Sequence, residues 1–111
     1  MERVLELLRT ADQALKDARD GLHHATDVMP ADLSSVIAEI RALGWRLDTI
    51  IGLTSEAYTK QTGLGHDDGL DPATTVELIQ ARLADAQAHL RAFHRSFYET
   101  HQATAKLFAE R

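Results

Sequence analysis

Apolar residues recur at alternating spacings of three and four along three separate parts of the chain, over residues 4–29, 33–58 and 76–107. This heptad spacing is typical of long helices that pack side by side. In the first part, large residues alternate with alanine along the seam, and the small side chains would let a neighbouring helix come close. The pattern therefore predicts an all-α protein with three amphipathic helices.

Two interruptions separate these helices. Pro30 lacks a backbone donor and clashes with a preceding helical turn, so the chain must turn or restart there. The segment from Gly63 to Pro72 carries three glycines and three aspartates and is typical of a loop. Asp71 before Pro72 has the pattern of an N-cap followed by proline at the first helical position.

We expect one domain over residues 1–111, with helices at about 2–27, 32–62 and 72–109. One short and one longer connection favour an antiparallel three-helix bundle or coiled coil of up-down-up topology, with a long third helix.

The middle helix is predicted to touch both of its neighbours, because a second apolar stripe runs beside its seam. Gly44 lies on that seam and costs helix propensity, about 1 kcal/mol relative to Ala. We expect it to mark a close approach between helices, with room for Trp45 beside it.

Composition narrows the class of protein. The chain has 111 residues and no cysteine, so it offers neither a disulfide framework nor a thiolate metal site. No apolar run reaches the roughly 18 residues of a membrane-spanning helix. Because the segment from Met1 to Glu6 is charged and periodic, we expect no secretory signal there. We expect a cytoplasmic protein that does not enter a membrane.

The net charge of −5 argues against binding through phosphate neutralisation. The third helix comes closest to a basic face, with Arg91 and Arg95 near its centre. An accessory subunit of a nucleic-acid complex, contacting through these two residues, is kept as an alternative function.

The histidines do not form a clear metal site. His94 and His101 are two turns apart, and pairs such as Asp85 with His89 have helical ligand spacing but no obvious third ligand. We therefore expect no metal and no cofactor, and a solvated turn in the acidic loop. A ligand- or metal-binding bundle that uses the space near Gly44 and Trp45, with His94 or His101, is the second alternative.

Catalytic motifs are absent from the sequence. No serine lies in a glycine elbow, and Gly63-Leu64-Gly65 lacks the lysine and the preceding strand of a phosphate loop. We expect no enzymatic activity.

The C-terminal third of the third helix is the aromatic end of the chain. A strip one step off its seam, at Gln80, Gln87, His94, His101 and Phe108, carries no fixed charge. Flanking positions of this kind set partner choice in coiled coils. We therefore predict a non-enzymatic helical protein–protein interaction module, such as an adaptor or small accessory subunit, with a homodimer as a plausible state. The predicted partner-binding residues are Phe93, Phe97, Tyr98, His94, His101 and Phe108.

The length, the acidity and the single tryptophan, Trp45, resemble the small helical ESX-type WXG proteins in general character. The Trp-x-Gly turn of that family is replaced here by Trp45-Arg46-Leu47 inside the second predicted helix. The sequence therefore assigns no family.

Overall fold

The structure is a computed structural model that describes residues 1–65, 69 and 71–107. It contains three helices, α1 (Glu2–His24), α2 (Pro30–Thr59) and α3 (Pro72–Thr104). No strand occurs in the described residues. The prediction of an all-α, three-helix protein with a long third helix is confirmed.

The helices begin where the local sequence favours a start. At α3, Asp71 is the N-cap, and its Oδ1 accepts a hydrogen bond of 3.0 Å from the backbone N–H of Ala73, with Pro72 at the first position, as predicted. At α2, Pro30 takes the first position itself, two residues before the expected start. The Asp32 carboxylate then accepts a 3.0 Å hydrogen bond from the backbone N–H of Met29.

Each helix ends before the heptad pattern of apolar residues does. α1 stops at His24 because Ala25 is extended and Asp27 adopts a left-handed backbone with φ of 56°. α2 stops at Thr59, ahead of Gly63, which also has a positive φ. α3 stops at Thr104 and continues only as a turn. Apolar periodicity therefore places the C-terminal end of each helix three to five residues too late, because it does not register the backbone of the connections.

α2 and α3 form a tight antiparallel hairpin. The ring of Phe93 on α3 lies over Gly44 of α2, where an added Cβ would be 2.6 Å from the ring Cε1. Gly44 is the only residue classed as buried in the part of the chain that the structure describes. Further along, Thr104 Oγ1 lies 3.0 Å from Ser34 Oγ, which holds the end of α3 against the start of α2.

Two glutamine side chains also join the hairpin. Gln80 Nε2 donates to the backbone carbonyl of Ser55 at 3.1 Å, and Gln87 Nε2 donates to that of Asp48 at 3.2 Å. Helical carbonyls are normally satisfied within their own helix, so these bonds tie α3 to the backbone of α2 over about two turns.

α1 stands apart from the hairpin. Over the described residues, no Cα atom of α1 lies within 8 Å of a Cα atom of α2 or α3, whereas packed helices have their axes 8–10 Å apart. Every residue of α1 is exposed, and the molecule measures 68 × 27 × 20 Å. The single chain is therefore extended, and no hydrophobic side chain of the described residues is buried in it.

None of the helices in the described residues is both long enough and apolar enough to cross a membrane.

Candidate functional sites on two edges of α2

An apolar groove separates α1 from α2 and has a volume of about 480 Å³. One wall belongs to α1 and the other to α2. We call this the α1–α2 groove. Its apolar lining residues are Leu15, Ala18, Leu22, Val36, Ile40 and Leu43.

The walls of the groove expose much of their apolar surface. Leu15 is 50% exposed and Leu22 is 52% exposed, and Leu43 on the facing wall is 42% exposed. Arg19 on the α1 wall and Glu39 on the α2 wall add one charge of each sign. The seam that the heptads predict for α1 is thus open along the groove and is not covered by another helix of this chain.

A polar and aromatic surface lies on a different edge of α2, along the junction with α3. Three cross-helix pairs follow one another at intervals of about one turn. The Arg41 guanidinium lies 4.6 Å from the Tyr98 ring centroid, and the Trp45 and His94 ring centroids are 4.7 Å apart.

The third pair is the ion pair Arg91–Asp48, with 3.8 Å between Nε and Oδ2. The Arg91 side chain is 68% exposed, so solvent screens this pair. It orients the guanidinium more than it stabilises the fold.

Two shallow depressions flank the Trp45–His94 pair, with volumes of about 460 Å³ and about 400 Å³. Ala38 and Ala42 leave space on the first side, and Tyr98 bounds the second. The two linings include four arginines and no carboxylate. We call this surface the arginine face, and its residues are Arg41, Trp45, Arg46, Arg91, His94, Arg95 and Tyr98.

Two buried polar atoms beside the arginine face have no hydrogen-bond partner among the described residues, namely His94 Nδ1 and Asp48 Oδ1. A buried polar atom without a partner is uncommon in native proteins and carries a desolvation cost. Both atoms belong to residues of the cross-helix pairs.

The predicted partner-binding residues fall in several different places. Phe93 and Phe97 are half-buried with ring centroids 4.4 Å apart, and the ring of Phe93 lies over Gly44 of α2. Tyr98 and His94 lie on the arginine face, and His101 is half-buried one turn beyond Tyr98. The structure thus brings His94 and Tyr98 together with arginines and places the two phenylalanines inside the hairpin.

Phe108 lies outside the described residues, as do His66, Asp67 and Asp68 of the acidic loop.

The space over Gly44 is filled by the ring of Phe93. The Trp45 side chain is 55% exposed, and its ring lies 4.7 Å from that of His94 on α3. The expectation that Gly44 marks a close helix approach is confirmed, with Phe93 as the neighbouring side chain. That the approach makes room for Trp45 stays a prediction.

Arg41 and Arg46 were not predicted as site residues. They lie on α2, and their neighbours Arg91 and Arg95 lie on α3, about 50 positions later in the chain. The one local signal is the spacing of Arg41 and Trp45, four residues apart and therefore on one face of a helix.

Within the described residues, no three histidine, aspartate or glutamate side chains lie close enough together to hold a metal ion. The chain was also compared with protein-family models, with curated proteins and with solved structures, and none of the three comparisons found a significant match.

Proposed function

We propose that this protein is a non-enzymatic helical interaction module that associates through the α1–α2 groove, in the first instance with a second copy of itself. The observation that carries the proposal is the open seam of α1: its leucines alternate with alanines at heptad spacing, yet about half of their surface remains in water.

Burial of such side chains supplies the driving force for association. Fully burying a leucine, valine or isoleucine contributes about 1.5–3 kcal/mol relative to leaving it exposed. The groove gathers several of these side chains on two walls, and alanine at alternate seam positions permits close approach of another helix. A helix laid between α1 and α2 would cover both walls at once.

The groove is also compatible with a symmetric dimer of two copies of this chain. A two-fold dimer uses the same surface on both copies. Since α1 forms one wall of the groove and is exposed on all its faces, the α1 of one copy is free to enter the groove of the other. Each copy would then contribute one groove and one inserted helix.

The experiment is a measurement of absolute mass by light scattering behind a sizing column, over a wide range of protein concentration. The monomer mass is 12.3 kDa. We expect a mass that rises with concentration toward twice this value. A mass that stays at 12.3 kDa at every concentration would contradict self-association.

Single substitutions then test whether the α1–α2 groove is the surface through which the copies associate. Leu22→Glu places a carboxylate on the α1 wall and should return the mass to that of the monomer. Leu78→Glu is the matched control, since Leu78 on α3 is similarly exposed, at 55%, and does not line the groove. An equal loss of mass in both variants would show that the groove is not the contact surface.

A cytoplasmic location and the lack of enzymatic activity belong to the same proposal. A ligand-binding or nucleic-acid role remains the alternative, and the arginine face is the surface on which such a role would rest.

A further inference from the structure

The arginine face concentrates positive charge in a chain that is acidic overall. The protein has 12 basic side chains and a net charge of −5, yet four of the arginines surround one exposed tryptophan. Arg46 and Arg95 form no ion pair with another described residue. Among the described residues, two guanidinium groups without an ion pair therefore flank Trp45, one from each helix of the hairpin.

We propose that the arginine face binds a short acidic segment of a partner protein, with carboxylates on the guanidinium groups and an apolar side chain against Trp45. Guanidinium groups match carboxylates in planar, two-point hydrogen bonds, which are stronger than neutral ones. The surface is built from tryptophan, tyrosine and arginine, the residue types that most often dominate binding energy at protein interfaces.

The shape of the surface fits this ligand. Ala38 and Ala42 leave a depression on one side of the Trp45–His94 pair, and a second depression lies toward Arg95 and Tyr98. Carboxylates on either side of a central apolar residue could reach Arg46 and Arg95 together.

A protein segment fits better than a nucleic acid because of charge. Nucleic-acid affinity grows with the number of phosphates that basic residues neutralise. This face offers only four arginines, and the acidic remainder of the chain would repel a long polyanion. A short segment contacts the arginine face alone and avoids that repulsion.

The arginine face is distinct from the α1–α2 groove, because the two surfaces lie on different edges of α2. Binding at the face does not depend on self-association, and the two proposals can fail separately.

Trp45 reports on binding directly, since it is the only tryptophan in the chain. The probe is a short synthetic peptide of glutamates around one central leucine. We expect a saturable change in Trp45 emission as the peptide is added, an increase in the anisotropy of fluorescein-labelled peptide, and weaker binding as salt rises.

The variant that tests the arginines is Arg46→Gln with Arg95→Gln, which leaves the Arg41–Tyr98 and Arg91–Asp48 contacts in place. Loss of a charge-assisted hydrogen bond should weaken peptide binding by about tenfold for each arginine. Arg82→Gln is the matched control, because Arg82 is also on α3, pairs with Asp85 and does not line either depression. This control should bind as the wild type does.

Three results would overturn the proposal. One is the absence of any emission or anisotropy change with the peptide. The second is an equal loss of affinity in the double variant and the Arg82→Gln control. The third is tighter binding of oligothymidylate than of the peptide at the same arginines, which would assign the face to single-stranded nucleic acid. A circular dichroism melt of each variant verifies that the helices are intact.

Discussion

The ring of Phe93 covers the backbone of Gly44 so closely that a Cβ there would lie 2.6 Å from the ring Cε1 and 2.9 Å from Cδ1. The ring has little freedom to move aside, because its centroid is 4.4 Å from that of Phe97. This contact brings α2 and α3 together at the middle of the hairpin and accounts for a glycine in the interior of a 30-residue helix.

Gly44→Ala should destabilise the protein even though alanine favours a helix by about 1 kcal/mol over glycine. Overpacking costs about 1–3 kcal/mol, so we expect a net loss of about 1 kcal/mol in the free energy of unfolding. Urea unfolding followed by circular dichroism measures it. Adding Phe93→Leu to Gly44→Ala should cost less than the sum of the two single changes, since the smaller side chain relieves the clash.

Gly21→Ala is the control for this experiment. Gly21 lies in α1, and nothing occupies the space within 4 Å of its added Cβ. The substitution should leave the unfolding midpoint unchanged or raise it. If Gly44→Ala is as well tolerated as Gly21→Ala, the close contact with Phe93 does not constrain the hairpin.

Replacing Gln80 or Gln87 should affect stability and not association. Their side-chain amides bond to backbone carbonyls of α2, so the polar strip predicted as a partner surface is turned toward the protein itself at these two positions. Each substitution to alanine should lower the free energy of unfolding by about 1 kcal/mol. The mass in solution should not change.

Gln13→Ala provides the comparison, because within the described part of the chain the Gln13 side chain bonds to Asp17 of its own helix. Its unfolding free energy should stay close to that of the wild type. If replacing Gln80 or Gln87 changes the mass in solution and leaves the free energy of unfolding unchanged, the strip is an interface with a partner.

α1 should be the least protected helix in hydrogen exchange at low protein concentration. Its residues are exposed and its Cα atoms are more than 8 Å from those of the described parts of α2 and α3, so its amides rely on local helix stability alone. Amides in α2 and α3 near Gly44 and Phe93 should exchange more slowly. Mass spectrometry of peptide fragments resolves the three helices.

Raising the protein concentration should slow exchange in α1 if the groove closes between copies. The chain lacking residues 1–27 serves as the control: it should keep the slow exchange of α2 and α3 and lose the concentration dependence. Equal protection of α1 and α2 at the lowest concentration would mean that α1 packs on the hairpin within one chain.

The helices themselves could be predicted because their signals are local. Alternating three- and four-residue spacing places apolar side chains on one side of a helix, whatever the helix packs against. The Asp71–Pro72 start likewise depends only on neighbouring residues. The ends of the helices were less predictable, since the left-handed backbone at Asp27 leaves no mark in the apolar pattern.

The neighbours of each helix and the two candidate surfaces were decided by tertiary structure. The sequence by itself determined three amphipathic helices, a short acidic chain without cysteine and a glycine at a helix seam. Arg46 and Arg95 flank one tryptophan only because α2 and α3 pack antiparallel in the register that places Phe93 over Gly44. That register depends on the summed packing of residues some 50 positions apart, which no local spacing encodes.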